Sequence, residues 1–104
     1  MKMKPTEFKV DNMGQFQDMV TSKDINISKA IVNAIIGNLK TRKKFIHMLS
    51  IKCMDENTTF DITLERSHFA DTLKENLKYF EAGEWYEECS KINKAIGVLN
   101  NPKT

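Results

Sequence analysis

The chain has 104 residues, 40% of them hydrophobic, with 16 Lys and Arg against 14 Asp and Glu. That is apolar material for one modest core and too little chain for two packed domains, so a single domain over 1–104 is expected. No apolar run approaches the roughly 18 residues a membrane-spanning helix needs, and Met1-Lys2-Met3-Lys4-Pro5 leads into polar sequence rather than a signal-peptide core, which points to the cytoplasm.

In chain order, residues 1–24 form an N-terminal arm. Glu7-Phe8-Lys9-Val10 is strand-like, and Met13, Phe16, Met19 and Val20 recur at helical spacing behind Asp11 or Asn12 as a cap, which predicts a short strand and then a weak helix. Ile27, Ile31, Ala34, Ile35 and Leu39 make one face of a helix broadened by Val32 and Ile36, with Ser28 or Asn26 as its N-cap. Gly37 and the run Lys40-Thr41-Arg42-Lys43-Lys44 should end it near Asn38 to Lys40.

From Phe45 the period changes to two. Phe45, Leu49, Ile51 and Cys53 fall on one side of an extended chain, with His47 sharing that face and Ser50 and Lys52 on the other. Asp55-Glu56-Asn57 supplies turn chemistry, and Phe60, Ile62 and Leu64 alternate with Thr59, Asp61, Thr63 and Glu65, so a β-hairpin is expected from about Phe45 to Glu65. Ser67 then caps a helix carrying Phe69, Leu73, Leu77 and Phe80, which Gly83 should end by adopting the left-handed conformation. A last helix is expected over about 84 to 99, with Trp85 or Tyr86, Cys89, Ile92, Ile96 and Leu99 as its stripe and Asn100-Asn101-Pro102 as its stop. The fold class is therefore α+β: an antiparallel hairpin, with room for a third, N-terminal strand, packed on three helices, the last two an antiparallel helical hairpin. The segments are 1–24, 25–66 and 67–99.

Charge is divided along the chain. Residues 1–54 carry ten Lys and Arg against four Asp and Glu, a net +6, while residues 55–104 carry six against ten, a net −4. A bipolar distribution of this kind steers charged partners or favours self-association, and two solvated faces are the bland alternative.

No catalytic constellation is recognisable. His47 reads as a core-edge histidine and His68 as an exposed one, the two cysteines form no CxxC pair, and Gly14, Gly37, Gly83 and Gly97 are too scattered for a phosphate loop. The expectation is a protein that is not an enzyme, with no metal site, no cofactor and buried reduced thiols. Two surface features remain. The basic corner Lys40, Arg42, Lys43 and Lys44 suits phosphate contacts, although the hairpin's outward face of Ser, Lys, Thr, Asp and Glu lacks the aromatic platform that single strands want. Glu84-Trp85-Tyr86-Glu87-Glu88 is an aromatic and acidic turn in which Trp85 and Tyr86 diverge by about 100° on a helix, so at least one reaches the surface. Trp85 is expected to be mainly structural and Tyr86 mainly a contact residue.

The turn Glu84-Trp85-Tyr86-Glu87-Glu88, followed by the small pair Cys89-Ser90 and then by Lys91-Ile92-Asn93-Lys94-Ala95-Ile96 with Leu99, resembles the UVR-type helical hairpin of excision-repair and protease-adaptor proteins over Leu77 to Leu99. That resemblance implies docking on a protein rather than chemistry. The length and the many Lys, Asn and Ile are also similar in style to small accessory proteins of tailed phages, which implies a regulator or inhibitor of one host protein, acting in the host cytoplasm. Two alternatives stand beside a protein-binding regulator: a nucleic-acid-binding regulator using Lys40 to Lys44, and a structural homo-oligomer, here a homodimer.

Overall fold

A computed structural model describes residues 6–22 and 24–100. The elements run β1 (Thr6–Val10), α1 (Met13–Thr21), α2 (Ile25–Ile36), β2 (Phe45–Cys53), β3 (Thr58–Glu65), a 3-10 turn (Arg66–His68), α3 (Phe69–Ala82) and α4 (Tyr86–Asn100). The fold is α+β as expected, with four α-helices among the described residues rather than three because the weak helix of the arm forms. Among the described residues no helix is long and apolar enough to cross a membrane.

The sheet has the order β1-β2-β3, so the arm supplies the third strand. β1 pairs parallel to β2, Val10 opposite Cys53, and β2 pairs antiparallel to β3. The parallel pairing requires a crossover between β1 and β2, and the α1–α2 pair provides it. Asn12 rather than Asp11 caps α1, its side chain accepting from the Gln15 amide at 2.9 Å, while Gln15 Oε1 accepts from the Asp11 amide in return. Likewise α2 starts earlier than Asn26 or Ser28 would allow. Asp24 Oδ1 accepts the Asn26 amide at 2.8 Å, and Ser28 lies buried inside the helix. The helix ends at Ile36, short of Asn38, and Asn38 Nδ2 donates back to the Ala34 carbonyl in the turn that follows.

The hairpin forms over the expected residues, but one residue changes its faces. The register passes from His47 opposite Thr63 to Leu49 opposite Ile62, leaving Met48 as a β-bulge. Because side chains alternate with period two, that single insertion reverses the faces on its N-terminal side. Ile46 is therefore buried beside Leu49, and Phe45, expected inside, is 55% exposed. His47 turns outward with it.

Two apolar clusters lie on the helix side of the sheet. Val32, Ile35, Ile46, Phe69, Leu73, Phe80 and Ile92 are the wholly buried centre of one, which ties α2, β2 and the α3–α4 pair together. Val10, Ile27, Leu49 and Ile51 form the other, beneath which Met13, Phe16 and Met19 of α1 pack. Each fully buried side chain of this size contributes about 1.5–3 kcal/mol, so the helical hairpin is held mainly by its apolar face. Ser67 does not cap α3. The chain instead tightens into the 3-10 turn, no side chain bonds the helix start, and Phe69 is driven fully into the core.

Candidate functional site

The turn between α3 and α4 gives the acidic, aromatic segment its shape. The Trp85 amide bonds the Phe80 carbonyl at 2.9 Å and the Glu84 amide bonds the Glu81 carbonyl at 3.1 Å, the two bonds of a Schellman cap. The left-handed position of that cap falls on Glu84, with φ 60°, and Gly83 is right-handed at φ −90°. The expectation for Gly83 is thus corrected by one residue. Gly83 instead makes room for the indole. A Cβ there would lie 2.7 Å from Trp85 Cδ1, so only glycine lets the ring lie against the end of α3.

Trp85 is not packed under the hairpin. It is 41% exposed, and the Lys29 ammonium of α2 stands 4.5 Å from its ring centre in a cation–π contact. Tyr86, the first residue of α4, is 70% exposed. Lys29, Glu84, Trp85, Tyr86, Glu87 and Glu88 together line an open cleft of about 390 Å³. Three carboxylates and one ammonium leave it acidic. Glu88 is largely covered; one of its oxygens meets Lys91 Nζ at 3.5 Å, and the other, Oε2, is buried with no hydrogen-bond partner among the described residues. All five residues singled out in this segment are brought together, and Lys29 joins them from a helix far off in sequence.

The basic corner occupies another part of the molecule. Lys40, Arg42, Lys43 and Lys44 are exposed, and none is paired with a carboxylate among the described residues. Arg66, which the sequence did not mark, organises the loop: its Nε donates to the Lys43 carbonyl at 2.7 Å, and one terminal nitrogen donates to the Asn38 carbonyl at 2.9 Å and to Thr41 Oγ1 at 2.8 Å. Its guanidinium also stacks 4.9 Å from the Phe69 ring centre. An arginine fork feeding neutral carbonyls fixes the corner's backbone without neutralising its lysines. Lys44 Nζ lies 5.9 Å from the Phe45 ring, which the bulge has turned outward.

The same bulge puts His47 beside Ser50 and Asp61 on the open sheet face. His47 Nε2 lies 2.8 Å from Ser50 Oγ and 3.3 Å from Asp61 Oδ1, while Ser50 Oγ donates to Asp61 at 2.9 Å. A hydrolytic relay needs the carboxylate on the far imidazole nitrogen, orienting a base that faces the hydroxyl. Here one nitrogen faces both groups and the carboxylate accepts the serine hydroxyl's hydrogen bond, so the cluster ties the buried Ser50 to Asp61 and His47. His68 is exposed at the start of α3. Cys53 and Cys89 are free and buried, and each thiol is pushed above its ordinary pKa. For Cys53 the hydrogen bond its Sγ donates to Asp55 is the main cause and burial the second; for Cys89 burial comes first and the nearby Glu81 charge second. Both are kept as thiols, the opposite of an activated nucleophile. The two histidines and two cysteines are not gathered, and among the described residues no three His, Cys, Asp or Glu side chains converge as metal ligands.

A larger groove of about 540 Å³ lies between α1–α2 and α3, lined by Ile27, Ile31 and Tyr79 among others, and shares no lining residue with the acidic cleft. No protein-family model matches the chain, and neither a curated protein nor a solved structure is significantly similar to it.

Proposed function

We propose that the protein is a non-enzymatic regulator or inhibitor that acts by binding a protein partner through the cleft at Glu84, Trp85, Tyr86, Glu87 and Glu88. The observation that carries this reading is the pairing of two exposed aromatic rings, Trp85 and Tyr86, on a cleft wall crowded with carboxylates. Aromatic side chains with polar tips are the usual anchors of interfaces, and a ring of like charge selects the partner of opposite sign. Lys29 indicates the chemistry of that partner. Its ammonium above the Trp85 ring is the contact that a Lys or Arg of the partner would make at Tyr86 and the carboxylates beside it. The tailed-phage style of the sequence extends the proposal to a host protein as the target.

The test is to measure melting and partner affinity separately for Trp85→Ala and Tyr86→Ala. Tyr86→Ala should cost about 2 kcal/mol of binding with melting unchanged, because the ring touches little of its own chain. Trp85→Ala should lose both binding and about 1 kcal/mol of stability from the Lys29 contact. Wild-type affinity in both variants would place the interface elsewhere.

A second reading, binding of single-stranded nucleic acid at Lys40, Arg42, Lys43 and Lys44, is favoured by one observation: Phe45 is 55% exposed beside Lys44 and supplies one stacking ring on the sheet's outward face. Changing Arg42, Lys43 and Lys44 together to Gln should then weaken binding and flatten its salt dependence. No binding by the wild type at low salt ends that reading.

A further inference from the structure

β3 is one edge of the sheet, and its eight residues, Thr58–Glu65, carry few of the devices that keep an edge single, Asp61 and Glu65 being its charges. It contains no Pro and no Lys, and among the described residues the register break lies on β2, at Met48. Among the described residues, no backbone group of β3 bonds to anything beyond the β2 ladder, so the outward row of amides and carbonyls is open. The helix side of the strand is also thinly covered. Phe60 is 36% exposed and belongs to neither apolar cluster, and Ile62 is only half-buried.

The residue pattern of this edge is self-complementary. Laid antiparallel on a copy of itself with Ile62 opposite Ile62, the strand sets Asp61 against Thr63, Phe60 against Leu64 and Thr59 against Glu65. Each acid then faces a threonine hydroxyl that can donate to it, and the under-covered Phe60 meets an aliphatic side chain on the same face. A shift by two residues in one direction puts Asp61 against Asp61, and in the other puts Asp61 against Glu65. Odd shifts put side chains of opposite faces together. Of the registers that pair most of the strand, only the one centred on Ile62 avoids both faults.

We propose that two copies of this chain pair through their β3 edges about a two-fold axis at Ile62, joining two three-stranded sheets into one of six strands. An isologous contact of this kind needs a surface complementary to itself, and the β3 pattern is one. The contact leaves Glu84 to Glu88 and the basic corner outside it, so each dimer presents its binding surfaces in pairs.

The test is sedimentation equilibrium of the intact chain with two charge substitutions at one position. In the monomer Thr63 faces His47 of β2, so neither Thr63→Asp nor Thr63→Lys meets a like charge directly across its own sheet, and circular dichroism should show both folded. In the dimer Thr63→Asp meets Asp61 of the other copy twice, once on each side of the axis, and should weaken association about tenfold or more, whereas Thr63→Lys meets the same carboxylates and should tighten it. A wild type that stays monomeric at millimolar concentration overturns the proposal. So does an equal dimer constant for Thr63→Asp and Thr63→Lys, and so does an open series of larger oligomers.

Discussion

Glu84→Gly should make the protein more stable, although it removes a residue of the proposed binding cleft. Glu84 sits at φ 60°, where a side chain's Cβ crowds the following carbonyl at a cost of about 1–2 kcal/mol. Glycine escapes that cost and loses about 0.5–1 kcal/mol through its freer unfolded chain. Removing a carboxylate from the negative end of α3 is favourable, and removing it from the positive end of α4 is unfavourable, so the two dipole effects roughly offset. The net is about 0.5–1 kcal/mol of stabilisation, or a rise of about 2 to 5 °C in Tm for a domain of this size. Differential scanning calorimetry measures it directly. The companion variant Gly83→Ala places a methyl 2.7 Å from Trp85 Cδ1 and should displace the indole, shifting Trp fluorescence to the red and losing the Lys29 contact. A Tm that is unchanged or lowered in Glu84→Gly would refute the assignment of the left-handed cap to Glu84.

Arg66→Ala should destabilise by about 2–3 kcal/mol in chemical denaturation, because the Asn38 and Lys43 carbonyls lose a charged donor, and Arg66→Lys should recover little because one ammonium cannot span both. Phe80→Ala should cost about 3–5 kcal/mol, since the ring is wholly buried between the two helices of the hairpin. The thiols set an alkaline limit. With Cys53 and Cys89 both raised above the ordinary value of 9.0, the unfolded chain releases these protons first, so their effect is nil well below that pH and stability falls as the pH climbs past it. Urea melts at pH 8 and pH 10 should show the loss in wild type and a smaller one in Cys89→Ala measured against its own pH 8 value.

Much of the fold was legible because it is written in period. The α3 stripe of Phe69, Leu73 and Phe80 and the β3 alternation of Phe60, Ile62 and Leu64 correspond directly to helix and strand, and the helical hairpin follows from the short turn between two such stripes. What was not legible depends on single residues or on distance. The Met48 bulge has no composition signal of its own, yet it moves Phe45 and His47 to the other face and Ile46 into the core. The Schellman cap falls one residue later than expected because glycine is its usual occupant, and the chain puts glutamate there while keeping glycine for the indole. Asp24 caps α2 in place of Asn26 and Ser28 because the helix already begins at Ile25, which leaves both of those residues inside it and only the residue before it free to turn a side-chain oxygen onto the first amides. The acidic turn was visible as a cluster, but its Lys29 partner arrives through the α2 packing, and Arg66 gains its acceptors only when β3 returns beside the loop after α2.

The most direct test of protein docking at the acidic cleft is quantitative capture from the native cell lysate, with and without nuclease, using wild type, Tyr86→Ala and the Arg42→Gln, Lys43→Gln, Lys44→Gln triple variant. One protein should be retained by the wild type and by the triple variant, survive nuclease treatment and be lost with Tyr86→Ala. Retention by Tyr86→Ala together with loss in the triple variant or after nuclease would contradict docking at the cleft and assign binding to the basic corner.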